Sequence, residues 1–188
     1  TFGQLGDGTG DDRTRPVKVG TERWKAVSSG AYFTCAIGTS DTRWCWGSNG
    51  RGQLGDGTTA DRDAPVQMGT QTWTSISSGG IHACGIQTAG TLWCWGYNRS
   101  GQVGDGTTTS RTTPGQVGTA TWRTVGAGGV HTCAIQPVGT LWCWGLGSYG
   151  QLGNGTTTNR STPEQVGTGA NWQTVGAGWD HTHALQSD

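Results

Sequence analysis

The motif Gly-Gln-Leu/Val-Gly occurs four times, at Gly3, Gly52, Gly101 and Gly150, and successive copies are 49 residues apart. A fixed period of that length restricts a chain to solenoids, propellers and related arrays. The rest of the unit follows in order. Asp7-Gly8-Thr9, Asp56-Gly57-Thr58, Asp105-Gly106-Thr107 and Asn154-Gly155-Thr156 come first. Then come Arg13, Arg62, Arg111 and Arg160, then Pro16, Pro65, Pro114 and Pro163, then Trp24, Trp73, Trp122 and Trp172. The last Trp is one residue late, which places a single insertion near Gly169. The units run approximately over 1–49, 50–98, 99–147 and 148–188 and form one repeat domain over 1–188.

The second half of each unit has the alternation of a β-hairpin. In CGIQTAGTLWC, a three-residue loop Thr88-Ala89-Gly90 puts Gly90 at the left-handed position. That register sets Cys84 opposite Cys94, Gly85 opposite Trp93 and Ala83 opposite Trp95. The first unit sets Cys35 opposite Cys45, with Ala36 facing Trp44 and Thr34 facing Trp46. The third sets Cys133 opposite Cys143, with Ala134 facing Trp142 and Thr132 facing Trp144. A small residue faces every ring, and one register satisfies every pair. The Cys pairs fall at non-hydrogen-bonded positions, where Cα atoms lie about 4.5 Å apart, close enough for a disulfide. Three short-loop disulfides are expected, each contributing about 2–3 kcal/mol by the chain-entropy argument. Reduced core thiols are the rival reading. Disulfides imply an oxidising compartment, hence secretion or cell-surface display.

Composition narrows the function. Thirty-six Gly with few aliphatic residues would suit disorder, but the chain also has Trp 11, and each indole buries a large apolar area. Lys+Arg 12 balance Asp+Glu 12, so no basic surface argues for nucleic acid. No apolar run approaches a membrane span. The chain opens on Thr1 without a signal peptide and reads as a mature or excised form.

The run of Gly-Gln-Leu/Val-Gly-Asp/Asn-Gly-Thr, Pro-x-x-Val, Val-x-Ala/Ser-Gly-x-x-His-Thr/Ala-Cys-Ala/Gly-Ile and Leu/Arg-Trp-Cys-Trp-Gly resembles the regulator-of-chromosome-condensation repeat over essentially the whole chain. The paired Cys resemble the bacterial extracellular branch of that family. The resemblance implies an all-β fold, a β-propeller with about one four-stranded blade per repeat. It also implies a protein-binding platform, as in an exchange factor for a small GTPase, a β-lactamase inhibitor and a plant UV-B photoreceptor. Family members usually close with seven blades, whereas this chain has four units less the strand equivalent to residues 139–147. The last hairpin therefore lacks its return strand, and His183 stands where a fourth disulfide would begin. A piece of a longer propeller, a half-propeller completed by a second copy, and a small closed ring all remain open. Unpaired edges favour the first two.

No motif carries catalysis. A nucleophile elbow, a phosphate loop, a zinc-protease helix and paired carboxylates in a pocket are all missing. His82, His131 and His181 recur at one position, with Phe33 in the first unit, which is the pattern of a structural hydrogen bonder. His181 and His183 could face one side of a strand but lack a third metal ligand. Asp7, Asp56, Asp105 and Asn154 read as Asx turns near the following Arg, with too few carboxylates for calcium. No metal and no cofactor is expected.

What recurs belongs to the fold, and what breaks the repeat is the candidate for function. Tyr32, Phe33, Trp179 and Asp180 break it after the Ser/Ala-Gly step; Arg51, Tyr97, Arg99 and Tyr149 break it after Trp-Gly. Tyr, Trp and Arg dominate protein interfaces. The expected function is a non-catalytic binding scaffold whose partner is a protein or a second copy of the chain. The alternative is a multivalent, lectin-like propeller with glycan sites in successive blades.

Overall fold

The computed structural model describes residues 2–187. It contains thirteen strands and, among the described residues, no helix. The first blade is built from β1 (Trp24–Ser29), β2 (Phe33–Gly38), β3 (Thr42–Gly47) and the first part of β4 (Arg62–Ser78). β4 then crosses over. Its Val66 and Gln67 pair with Cys45 and Trp44 of blade one, whereas its Ser77 and Ser78 pair with Cys84 and Ala83 of blade two. Blade two continues with β5 (His82–Gln87), β6 (Thr91–Gly96) and β7 (Arg111–Thr121). Blade three is β8 (Thr124–Ala127), β9 (His131–Ile135), β10 (Leu141–Gly145) and β11 (Arg160–Gln165). Among the described residues, β12 (Trp172–Ala177) and β13 (Thr182–Gln186) form the two-stranded sheet of blade four.

Repeat and blade are out of phase. Each sequence unit opens on the loop and outer strand of one blade and ends on the three inner strands of the next. Residues 3–23, the loop and outer-strand portion of the first unit, form no strand. The extra residue near Gly169 falls in the connection between β11 and β12. It is absorbed there: the Trp172 amide still reaches the turn of the preceding blade at the Gly139 carbonyl, 3.1 Å, as Trp122 reaches Gly90 at 2.8 Å and Trp73 reaches Asp41 at 2.8 Å.

The hairpin register is the one the sequence predicts. Cys35, Cys84 and Cys133 lie opposite Cys45, Cys94 and Cys143. All three pairs are disulfides with Cα–Cα 4.1 Å. The turn residue in the left-handed region is Gly90 at φ 81° and Gly139 at φ 85°, with Asp41 at φ 64° doing the same in blade one. The pairing suits an oxidising environment.

The core lies between blades. Cys84, Ile86, Leu92 and Cys94 of blade two pack with Val117, against Trp122, Val125, Ala134 and Trp144. Cys35, Ile37, Cys45 and Leu54 pack in the same way against Trp73, Ala83 and Trp95. Each blade thus shows two different faces to its neighbours, so stability is a sum over seams.

Candidate binding face and blade seams

The recurring His is a seam residue. His82 Nε2 lies 2.9 Å from Thr132 Oγ1 in the next blade, and that hydroxyl donates to the Gln102 carbonyl at 2.9 Å. Since the hydroxyl proton is committed to Gln102, the imidazole Nε2–H must be the donor. His131 repeats the arrangement with Thr182 at 2.9 Å, and Thr182 donates to Gln151 at 2.8 Å. Burial pushes His82 down to about 3, with His131 adding to the effect. Burial pushes His131 down to about 4; Asp180 opposes this and His181 adds to it. Both rings are neutral at physiological pH, which suits a fixed cross-blade hydrogen bond and not proton transfer.

Phe33 corrects the sequence expectation. It is 1% exposed and lies in the core of the first seam, so it is not part of a binding face. The seam explains why. Where a blade carries His, the next carries Thr; blade one carries Phe33, and the matching position of blade two is Ala83. The polar pair has been exchanged for an apolar one.

The other repeat-breaking residues share one face. The tip between the first two strands of a blade meets the loop leaving its third strand: Ser48 donates to the Tyr32 carbonyl at 2.8 Å, Tyr97 to Ile81 at 2.9 Å and Leu146 to Val130 at 2.9 Å. Both kinds of break therefore lie on the same side of the sheets. Tyr32 is exposed and meets Phe2 edge-on, ring centroids 5.4 Å apart. Arg51 places its guanidinium 5.7 Å from the Tyr97 ring and links the loops of blades one and two. Trp179 is 60% exposed and lies beside the backbone of Gly129 and Gly80. Arg99, Tyr149 and Asp180 are exposed on the same loops.

The Asp loops are closed units. Asp7 and Asp56 accept from the Thr two residues on, Thr9 and Thr58, and pair with Arg13 at 2.6 Å and Arg62 at 2.7 Å. Asp105 accepts from Thr107 and lies 3.3 Å from Arg111. The Thr9 hydroxyl and then Arg13 hold the Asp7 carboxyl below its usual range. At Asp56 burial pushes upward, but Thr58, Arg62 and Asn49 outweigh it and the net shift is downward. In the fourth unit Asn154 replaces Asp, and Arg160 pairs with Glu164 instead. These carboxylates are already spent on Arg and backbone, and among the described residues no cluster of three or more His, Cys, Asp or Glu could hold a metal ion.

Two buried features were not singled out in the sequence. Asn49 and Asn98 are fully buried and tie down the following loop: the Leu54 amide donates to Asn49 Oδ1 at 3.0 Å and the Val103 amide to Asn98 Oδ1 at 2.9 Å. The signal was the Asn three residues after the second Trp in the first two units. Arg43 stands where the other units have Leu92 and Leu141. It is 2% exposed, lies 4.2 Å from the Trp95 ring centroid and donates to the Leu54 carbonyl at 2.8 Å. Burial pulls its pKa down to about 9, with Asp56 opposing, so it remains a cation at neutral pH.

Antiparallel four-stranded blades that follow one another along the chain, the first two joined through β4, and pack face to face define a β-propeller segment. The Regulator of chromosome condensation (RCC1) repeat matches residues 1–37, 42–86, 89–135 and 138–185. A second description of the same repeat matches 24–53, 73–102 and 122–151. The chain belongs to this family. Among solved structures it is similar to human WBSCR16, with TM-score 0.86 and 20% identity over 98% of this chain and 51% of that one. It is similar to Prp20p from Saccharomyces cerevisiae, described with its binding properties to Gsp1p and histones, with TM-score 0.77 and 20% identity over 88% of this chain and 44% of that one. It also resembles the ectodomain of the Physcomitrella patens receptor kinase CR4, with TM-score 0.53 and 24% identity over 84% and 34%. The chain spans about half the length of the WBSCR16 chain it matches. No curated protein matches its sequence.

Proposed function

We propose that this chain is a non-catalytic scaffold that binds a protein partner at the cell exterior, through the face formed by Tyr32, Arg51, Tyr97, Arg99, Tyr149, Trp179 and Asp180. One observation carries the reading: the residues that break the repeat converge on one side of the blades and include exposed Tyr, Trp and Arg. The exposed rings sit at non-equivalent positions. Tyr32 aligns with Ile81 and Val130, and Trp179 with Gly80 and Gly129. An asymmetric patch fits one protein epitope better than a series of equal glycan sites. Prp20p, which shares the fold, is described as binding Gsp1p and histones. The three disulfides and the similarity to a receptor ectodomain support an extracellular setting. The test is capture of a cross-linked partner by wild type and by the variant Tyr97→Ala, Arg99→Ala, Trp179→Ala. The triple variant should lose at least about 2 kcal/mol of binding; unchanged affinity would show that the face is misplaced.

A second copy of the chain is the second reading, and the seams favour it. Blade one presents the receiving half of a seam, with Thr34 and with Val27 65% exposed. Blade four presents the donating half, with His181 and with Leu185 65% exposed. Head-to-tail association would set His181 on Thr34, as His82 sits on Thr132. Light scattering over a concentration series tests it: a monomer mass at high concentration rules it out.

A further inference from the structure

We propose that the seam between blades one and two binds a small organic acid, a monocarboxylate on an aromatic body, with its carboxylate at Arg43 and Trp73. The site is independent of the binding face above and lies at the other end of the strands, where Trp73 pairs with Gln87, at the far end of β5 from His82.

This seam departs from the repeat on two adjacent strands. On β3, Arg43 stands where the later blades carry Leu92 and Leu141. On β4, Met68 stands where they carry Val117 and Val166. A cavity of about 530 Å³ is lined by both, and by Asp56, Trp73, Trp93 and Pro114 among others. It lies between two four-stranded blades.

Two buried donors on this lining have no acceptor among the described residues. The Arg43 Nη atoms donate to the carbonyls of Leu54 at 2.8 Å and Gly55 at 3.2 Å, but Nε has no partner. The Trp73 indole Nε1 has none either. Both side chains are 2% exposed, and the guanidinium carbon lies 5.4 Å from the Trp73 ring centroid. Trp122 also buries an unpartnered Nε1, but it packs with Leu92 where Trp73 has a cation. A buried donor without an acceptor is destabilising, more so when it is charged. The chain itself supplies no counterion: among the described residues Arg43 has no ion-pair partner. Asp56 lines the same cavity, but its oxygens are taken by Arg62, Thr58 and Asn49.

These groups specify the chemistry of the occupant. It brings acceptors for two N–H donors and one negative charge, which is the chemistry of a carboxylate. Burial lowers the Arg43 pKa and Asp56 offsets part of that, so the field of Asp56 already reaches the cation and would repel a dianion such as phosphate. The rest of the occupant meets Met68, Trp93 and Pro114. A flat apolar ring suits an indole wall, and Met68, unbranched and adaptable, can shift to admit it.

The probes are benzoate, phenylacetate and hydrocinnamate, which carry the same ring at increasing distance from the carboxylate. In titration calorimetry at neutral pH, at least one should bind the unaltered chain with Kd below about 1 mM, and its neutral amide should bind at least about tenfold more weakly. Arg43→Leu introduces the residue of the later blades and should keep a cooperative unfolding transition while losing at least about tenfold in affinity for the acid. Arg15→Leu, which removes an exposed cation outside the seam, should bind as the unaltered chain does. Trp73→Phe keeps a ring, drops the indole N–H and should weaken binding about two- to tenfold. The NMR signals of the Arg43 Nε–H and Trp73 Nε1–H, identified by their loss in Arg43→Lys and Trp73→Phe, should both shift as the acid is added to the unaltered chain. Absence of binding by all three acids, equal binding of acid and amide, undiminished binding by Arg43→Leu, or two signals that stay in place would each overturn the proposal.

Discussion

His82 and Phe33 occupy one repeat position and meet different partners, which makes the seam testable residue by residue. Phe33→His should cost about 2–3 kcal/mol, because the imidazole would be buried opposite Ala83 without an acceptor. Adding Ala83→Thr supplies the hydroxyl that His82 finds at Thr132. A double-mutant cycle in denaturant should then show a favourable coupling of about 1 kcal/mol, and zero coupling would mean that the seam hydrogen bond is incidental. The same buried rings set an acid limit. The ordinary His value is 6.5, and the folded values are about 3 for His82 and about 4 for His131. The unfolded chain therefore binds more protons below pH 6.5, and stability falls as pH drops from there towards the folded values. At pH 5 each ring should have cost about 2 kcal/mol relative to pH 7. His82→Gln should roughly halve that pH dependence, measured by urea unfolding at the two pH values, whatever its effect on stability at pH 7. The sequence made these His legible as structural, because they recur. It did not show that Phe33 is buried, since an aromatic ring beside an exposed Tyr looks the same in a loop as at the edge of a core. Arg43 was hidden for a related reason: a cation at a Leu position looks like surface until Trp95 and the Leu54 carbonyl are seen around it.

The hairpins were the most legible elements. Small residues opposite Trp and Cys opposite Cys admit one register, and the pleat leaves no freedom once a single pair is fixed. The outer strands were much less so. Arg62-Asp63-Ala64-Pro65 has the composition of a loop, yet it opens β4, because an edge position tolerates Pro and pairing with β3 supplies the order that propensity lacks. The glycines that end the Gly-Gln-Leu/Val-Gly motif were legible as turn residues, but not as floors for the Trp rings. Gly104 and Gly153 separate the two roles. Both have positive φ, at 80° and 66°, so Ala at either pays a left-handed strain of about 1 kcal/mol. At Gly104 the new methyl must also displace the Trp144 indole, which adds roughly 1–3 kcal/mol of overpacking. Gly104→Ala should therefore lower stability by about 2 kcal/mol more than Gly153→Ala in thermal or denaturant unfolding. Equal losses would mean that the ring moves freely and that its contact with the glycine is loose.

Seams, not blades, are the units of stability in the whole molecule. The hairpin β5–β6 lies in a blade with a neighbour on both sides, and Ala83, Cys84, Cys94 and Trp95 are all fully buried. The hairpin β12–β13 has a covered face towards blade three, through Val175 and Ala184, and an uncovered one carrying Leu185. It also lacks the disulfide that staples each of the other hairpins. In a nearest-neighbour array an end unit held by one seam opens by itself, while an inner unit must break two. Hydrogen exchange should show this directly. Hydrogen-bonded amides in Thr182–Gln186 should exchange at least about 100-fold faster than those in His82–Gln87, corresponding to about 2.7 kcal/mol less opening free energy. At high chain concentration the gap should narrow if His181 docks on Thr34 of a second copy, since that contact would give blade four its second seam. A gap that is absent at every concentration would mean that the His131–Thr182 seam alone holds two strands as firmly as two seams and a disulfide hold four, and the sum-over-seams account of this fold would fail.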